Sequence, residues 1–132
     1  MKMKKLIYIL AILLAIAVPL SVSAKGKAEI KFSEKSYNFG NIREKGGPVT
    51  HEFAFTNSGD ANLVIIDAKA QCGCTKPEYP LNPVAPGKSS KVKVTFNPYG
   101  QRGTFEKMIT IRTNGNPAKV RLKITGTVLP ND

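Results

Sequence analysis

Apolar and polar residues alternate along most of the chain after position 28. The clearest case is residues 49–55, where Val49, Phe53 and Phe55 all occupy odd positions. Because successive side chains of a strand point to opposite faces, this alternation predicts half-buried β-strands. The same pattern, or a short apolar run, recurs at residues 30–32 with 37–39, 63–66, 92–96, 109–111 and 120–125. Together these segments predict about seven strands.

Turn sequences separate the predicted strands. Residues 57–60 read Asn-Ser-Gly-Asp, residues 85–88 read Ala-Pro-Gly-Lys, and residues 114–117 read Asn-Gly-Asn-Pro. Proline holds φ near the value that a turn needs, and glycine accepts a positive φ. Short strands joined by such turns, without helical periodicity after residue 28, predict an all-β sandwich or barrel.

The first 24 residues have the composition of a secretory signal peptide. Three lysines stand among the first five residues, residues 6–20 carry no charge, and Val22 and Ala24 occupy the −3 and −1 positions of a cleavage site. This arrangement predicts a signal-peptide helix over residues 1–24 and a mature chain that begins at Lys25. A retained anchor is the alternative, but the uncharged stretch rises only about 22 Å as a helix, against roughly 30 Å for a bilayer core. We therefore expect a periplasmic or secreted protein with no stable membrane anchor after cleavage.

Residues 25–132 suit one small domain, and this domain is basic. The signal peptide contains three lysines and no acid, so its removal lowers the formal charge from +11 to +8. Six cations are expected to point outward from the late strands: Lys91, Lys93, Arg112, Lys119, Arg121 and Lys123. They would form either a basic sheet face that meets envelope polyanions or an acidic protein, or a solvated face without a ligand. An exported protein is not expected to bind nucleic acid.

Sequence motifs typical of enzymes are missing. His51 is the one histidine, and it lacks the second histidine of a zinc-protease helix because position 55 is Phe55. Residues 87–89 resemble the end of a phosphate-binding loop, but Asn82 stands where that loop requires glycine. The nine acidic residues show no paired spacing. We therefore expect no enzyme and no cofactor, and a structural, hydrogen-bonded role for His51 at the rim of the inward face.

Cys72 and Cys74 flank a single glycine just after the third predicted strand. In an extended chain, residues two apart have Cα atoms about 6.6–7 Å from each other, whereas disulfides prefer about 5.5–6 Å, and Gly73 allows the bend that closes the difference. A Cys72–Cys74 disulfide is thus one interpretation. Two reduced cysteines packed near the end of the sandwich are the second. The third is a redox or metal site, since two thiolates can hold Cu(I), whereas structural zinc requires four ligands.

Several short motifs follow one another in an order that resembles a known family. They are residues 37–42, 53–59, Leu63 with Ile65, 72–75 (Cys-Gly-Cys-Thr), 86–87, 94–98, 111–114 and 122–126. This order resembles DUF1573, a bacterial family of exported domains of unknown function related to ASH and major-sperm-protein-type sandwiches. The resemblance implies an immunoglobulin-like β-sandwich with a non-catalytic binding or scaffolding role. It implies no substrate and no active residues.

These observations favour an exported module for binding, scaffolding or envelope assembly. Its partner would be another envelope or extracellular protein, held at a sheet edge or at a loop made of Thr75, Lys76, Pro77, Glu78 and Tyr79. Pro77 and the following Pro80 stiffen this segment, and tyrosine is enriched in interfaces. Alternatively, Tyr79 packs back onto the core. The competing function is thiol-redox chemistry or copper handling at Cys72 and Cys74.

Overall fold

The computed structural model describes residues 26–131, which form strands and turns without a helix. The predicted signal peptide therefore lies outside the described residues. The eight strands are β1 (Ile30–Phe32), β2 (Ser36–Arg43), β3 (Val49–Asn57), β4 (Ile65–Ala70), β5 (Thr75–Glu78), β6 (Ser89–Phe96), β7 (Gly103–Thr113) and β8 (Lys119–Leu129). Over the same residues, no helix is long and apolar enough to cross a membrane.

The strands form two four-stranded sheets packed face to face. Sheet one has the order β1-β3-β6-β5, and sheet two has the order β2-β8-β7-β4. Neighbouring strands are antiparallel, except that β2 runs parallel to β8. The predicted all-β sandwich is confirmed.

Alternation places the apolar side chains between the sheets. Along β3, Phe53 and Phe55 are buried while Glu52 and Ala54 are exposed. Phe96 of sheet one stacks on Phe105 of sheet two, with ring centroids 4.1 Å apart. The sandwich is thus closed by the hydrophobic effect acting on one face of each sheet.

The described residues form eight strands, in line with the predicted count of about seven. β5 was not among the predicted segments, because it contains Pro77 and lacks alternation. The apolar run at residues 63–66 is not a strand over its whole length, since β4 begins at Ile65. Leu63 belongs to an isolated bridge with Val84, where it is fully buried.

Between β4 and β5 the chain crosses from sheet two to sheet one. This crossover consists of residues 71–74 and contains both cysteines. β4 and β5 are each at the edge of their sheet, so the crossover lies on one side of the sandwich. On the opposite side, the two sheets end in β1 and β2.

Candidate functional site

Two open sheets leave four edge strands, and each can pair with an added strand only where its outward backbone groups are free. β1 is short, and the amide of Ile30 already donates to the Asn116 carbonyl at 3.1 Å. β4 is interrupted by a register shift between Ile65 and Asp67. These two edges therefore offer few groups to a partner.

β5 is a poor acceptor for a different reason. The Asn97 amide donates to the Cys74 carbonyl at 2.8 Å, so the backbone groups of Cys74 face β6 and those of Thr75 and Pro77 face outward. The Thr75 amide donates to the Cys72 carbonyl at 3.1 Å, and proline has no amide hydrogen. No donor is left at these two outward positions of β5.

β2 presents the longest edge among the described residues. It has eight residues and no proline. The Lys123 amide donates to the Lys35 carbonyl at 2.8 Å, and because backbone directions alternate along a strand, the amides of Ser36 and Asn38 point away from β8. The Glu44 amide donates to the Leu129 carbonyl at 3.0 Å, so Arg43 points outward at the other end.

A bulge at Gly40 divides this edge. Register shifts between Asn38 and Asn41, and Gly40 has a φ of 72°, a left-handed conformation that favours glycine. The Asn38 Oδ1 accepts the Gly40 amide at 2.8 Å. The bulge is thus stabilised from within, and positions 36, 38, 41 and 43 face outward. The Arg43 carbonyl already accepts the Gly46 amide at 3.0 Å.

His51 helps to hold β2 against sheet one. Its ring stacks on Tyr37 of β2 with centroids 3.6 Å apart, and it packs edge-on against Phe53. Its Nε2 is hydrogen-bonded to Glu34 Oε1. The ring therefore makes structural contacts at the rim of the sandwich.

Cys72 and Cys74 are joined by a disulfide, with Cα atoms 5.1 Å apart. Both residues are half-buried, and Cys74 packs against the core. The Cys74 amide lies 3.1 Å from Cys72 Sγ, and the Thr75 hydroxyl lies 3.6 Å from Cys74 Sγ. Within residues 26–131, no three His, Cys, Asp or Glu side chains converge to hold a metal ion.

The segment expected to be a partner-binding loop is mostly an edge strand. Thr75, Lys76, Pro77 and Glu78 form β5, and Thr75 is only 5% exposed. The expected loop conformation was wrong, because backbone pairing with β6 overrides the weak strand preference of this polar, proline-containing segment. Partner binding by these residues stays a prediction. Tyr79 follows the strand and packs, partly buried, against the core.

The basic residues do not share one face. Lys91 and Lys93 lie on β6 in sheet one, where Lys91 Nζ is 3.1 Å from Glu52 Oε1 and Lys93 Nζ is 3.8 Å from Glu78 Oε2. The other four cations lie on β7 and β8 in sheet two: Arg112, Lys119, Arg121 and Lys123. The prediction of a single basic sheet face was wrong, because alternation assigns a residue to the outside of its sheet without saying which sheet.

Two features of the site were missed from sequence. The open edge of β2 follows from strand order, which no local pattern reveals. The contact between the buried Thr75 hydroxyl and Cys74 Sγ was also missed. The two residues are neighbours in sequence, so the Cys-Gly-Cys-Thr motif could have indicated this contact.

Solved structures share this fold at low sequence identity. A protein of unknown function from Porphyromonas gingivalis W83 superposes with a TM-score of 0.68 at 13% identity, covering 83% of this chain and 51% of that one. The ASH/PapD-like domain 7 of human CEP192 gives 0.60 at 16% identity, covering 80% and 89%. The Escherichia coli chaperone DraB gives 0.51 at 10% identity, covering 78% and 56%.

These neighbours confirm the immunoglobulin-like sandwich, and at such identities they bear on the fold alone. The chain spans about half the length of the Porphyromonas protein. A search of curated protein sequences found no match. The family model described as "Protein of unknown function (DUF1573)" matches residues 30–128, and the chain therefore belongs to the DUF1573 family.

Proposed function

We propose that the protein is an exported binding module that receives an extended segment of an envelope or extracellular protein along the open edge of β2. The observation that carries the proposal is the eight-residue, proline-free edge with outward amides at Ser36 and Asn38. An extended segment can add to such an edge through backbone hydrogen bonds. An ASH/PapD-like domain and an Escherichia coli chaperone share this sandwich fold, which supports a protein-binding role.

The edge is held in place by packing and hydrogen bonds before any partner arrives. Tyr37 is stacked on His51, Phe39 and Ile42 pack against the core, and Asn38 holds the Gly40 bulge. A preorganised edge does not have to be ordered when the partner binds, which lowers the entropic cost of association. Backbone pairing also tolerates many side chains, so loss of one polar side chain should leave binding largely intact.

The edge proposal is tested with a photo-crosslinking residue placed at Asn41 on β2 or, as a control, at Lys76 on β5, in the full chain expressed in its own host. We expect an adduct with an envelope protein from position 41 and not from position 76. Ser36→Pro removes one outward amide and should reduce the adduct severalfold, whereas Ser36→Ala should not. Thermal melts of both variants show that the fold is intact. Equal adducts from β2 and β5, or an adduct unaffected by proline, would contradict the proposal.

Export is tested separately by sequencing the N-terminus of protein recovered from the periplasmic or extracellular fraction. We expect Lys25 as the first residue, because Val22 and Ala24 provide the small residues that signal peptidase requires. An intact Met1 in washed membranes would show that the leader is retained as an anchor.

A further inference from the structure

The Cys72–Cys74 disulfide contributes little to holding the crossover in place. Backbone bonds already fix residues 71–74 at both ends: the Gln71 amide donates to the Met108 carbonyl at 3.3 Å, and the Asn97 amide donates to the Cys74 carbonyl at 2.8 Å. The Thr75 amide closes the turn onto the Cys72 carbonyl. A disulfide between residues separated by two positions closes a very small loop, so it restricts the unfolded chain only slightly. The presence of this disulfide therefore needs an explanation other than stabilisation of the fold.

The disulfide is open to a second molecule on one side. Gly73 is exposed, and a Cβ added there would meet nothing within 4 Å. Cys72 is half-buried and is not among the residues packed against the core, whereas Cys74 is. An incoming thiolate can thus reach Cys72 Sγ more readily than Cys74 Sγ.

The two sulfurs also have different hydrogen-bond donors. The Cys74 amide lies 3.1 Å from Cys72 Sγ, where it stabilises negative charge when Cys72 is a thiolate. In the disulfide Cys74 Sγ has no hydrogen, so the Thr75 hydroxyl, 3.6 Å away, is the donor of that pair. Thr75 is only 5% exposed, which keeps its hydroxyl close to the sulfur. Each sulfur thus has a donor for the negative charge that develops during exchange.

We propose that Cys72 and Cys74 form a thiol–disulfide exchange site that oxidises cysteine pairs in an extracytoplasmic protein. A partner thiolate attacks Cys72 Sγ, the Cys72–Cys74 bond breaks, and Cys74 leaves as a thiolate that takes a proton from solvent. The partner's second thiolate then attacks the partner's first sulfur, which is bonded to Cys72 Sγ in the mixed disulfide. This step forms the partner's disulfide and releases Cys72 as a thiolate. Two electrons pass from the partner dithiol to the protein disulfide, and one turnover needs no further oxidant.

The roles of the three side chains differ in this scheme. Cys72 is the attacked sulfur and, in the reduced protein, the nucleophile. Cys74 is the leaving and resolving thiol. Thr75 is a positioning residue, because it acts through Cys74. This activity is independent of partner binding at β2, so either proposal can fail without the other.

Two exchange reactions of the intact secreted protein are followed by mass spectrometry after acid quenching. Reduced glutathione reduces the wild-type disulfide, and glutathione disulfide reacts with the single-cysteine variants. We expect Cys74→Ser, treated with glutathione disulfide, to trap one glutathione on Cys72 at least about tenfold faster than Cys72→Ser traps it on Cys74. Thr75→Val should slow reduction of the wild-type disulfide about threefold to tenfold, and Thr75→Ser should restore it. If Thr75 had only a structural role, Thr75→Val would change the melting temperature, and Thr75→Ser would not restore the rate of reduction.

A second measurement uses reduced, denatured ribonuclease A in a glutathione buffer. Catalytic amounts of the wild-type protein should speed the return of ribonuclease activity at least about threefold, and the Cys72→Ser/Cys74→Ser variant should not. Equal trapping at the two cysteines, or equal refolding rates with and without the sulfurs, would overturn the proposal. Loss of the folded state in the double variant would also overturn it, because the disulfide would then be structural.

Discussion

β2 and β5 are edge strands of the same sandwich, but they present different chemistry to solvent. β2 has eight residues and outward amides at Ser36 and Asn38, whereas β5 has four residues and no free amide donor at Thr75 or Pro77. β5 instead directly follows the Cys72–Cys74 disulfide, and each sulfur of that disulfide has a hydrogen-bond donor. One edge is therefore suited to backbone pairing and the other to side-chain chemistry.

The two edges are also attached to the core differently. β2 lies against Gly126, and a Cβ at that glycine would be 2.9 Å from the Gly40 carbonyl oxygen. β5 is attached through the buried side chain of Thr75 and, just after the strand, through Tyr79. Substitutions at these contacts measure how firmly each edge is held.

The largest effect is expected for Gly126→Ala. The new methyl would also be 2.8 Å from two atoms of the Phe105 ring, which is stacked on Phe96, so neither the ring nor β2 can move freely. We expect a loss of about 2–3 kcal/mol in the free energy of unfolding. Urea denaturation measures it. Gly73→Ala is the matched control on the β5 side, where a Cβ has open space, and it should change stability by less than about 0.5 kcal/mol. Similar losses in both variants would mean that β2 is not closely packed on β8.

Tyr79→Ala is expected to have an intermediate effect. Tyr79 is partly buried against the core, so its truncation should lower the free energy of unfolding by about 1–2 kcal/mol. Denaturant melts check this value. The photo-crosslinked adduct at position 41 should persist in the variant, because Tyr79 lies on the opposite side of the sandwich from β2. An unchanged melt with a lost adduct would assign Tyr79 to the partner interface.

Replacing both cysteines by serine should lower stability by no more than Tyr79→Ala does. We expect a loss of no more than about 1–2 kcal/mol, since the closed loop is short and the crossover keeps its backbone hydrogen bonds. The same denaturant melts compare oxidised wild-type protein with the double variant. A much larger loss would show that the sulfurs, and not the backbone, hold β5 next to β4.

The core could be predicted from the sequence with good accuracy. Phe53, Phe55, Val92 and Val94 alternate with polar residues, and all four are buried. The reason is geometric: side chains of a strand alternate between faces, so the apolar parity identifies the inner face without knowledge of the neighbours. The turn at residues 85–88 was predictable for a similar local reason, and Gly87 has the expected positive φ of 78°.

The candidate site was less predictable, because its elements are defined by neighbours distant in sequence. β5 forms only through pairing with β6, some 20 residues further along the chain. The chain pattern singled out Cys72 and Cys74, and their bond requires a bend at Gly73 that the sequence permits without requiring. β2 is an edge strand only because of the strand order of sheet two.

Local sequence thus specifies which side chains of each strand face inward, where the main turns occur and which residues have sulfur chemistry. All of these depend on local periodicity and residue type. Contacts between distant segments specify which strands are neighbours. They therefore leave β2 with outward amides, leave β5 without free amide donors at Thr75 and Pro77, and divide the cations between two sheets. Arg121 illustrates the difference: its parity places it outside, but only the pairing of β8 with β7 and β2 places it on sheet two, away from Lys91 and Lys93. Alternation specifies a direction relative to the strand's own sheet, whereas hydrogen bonding between distant segments specifies the sheet.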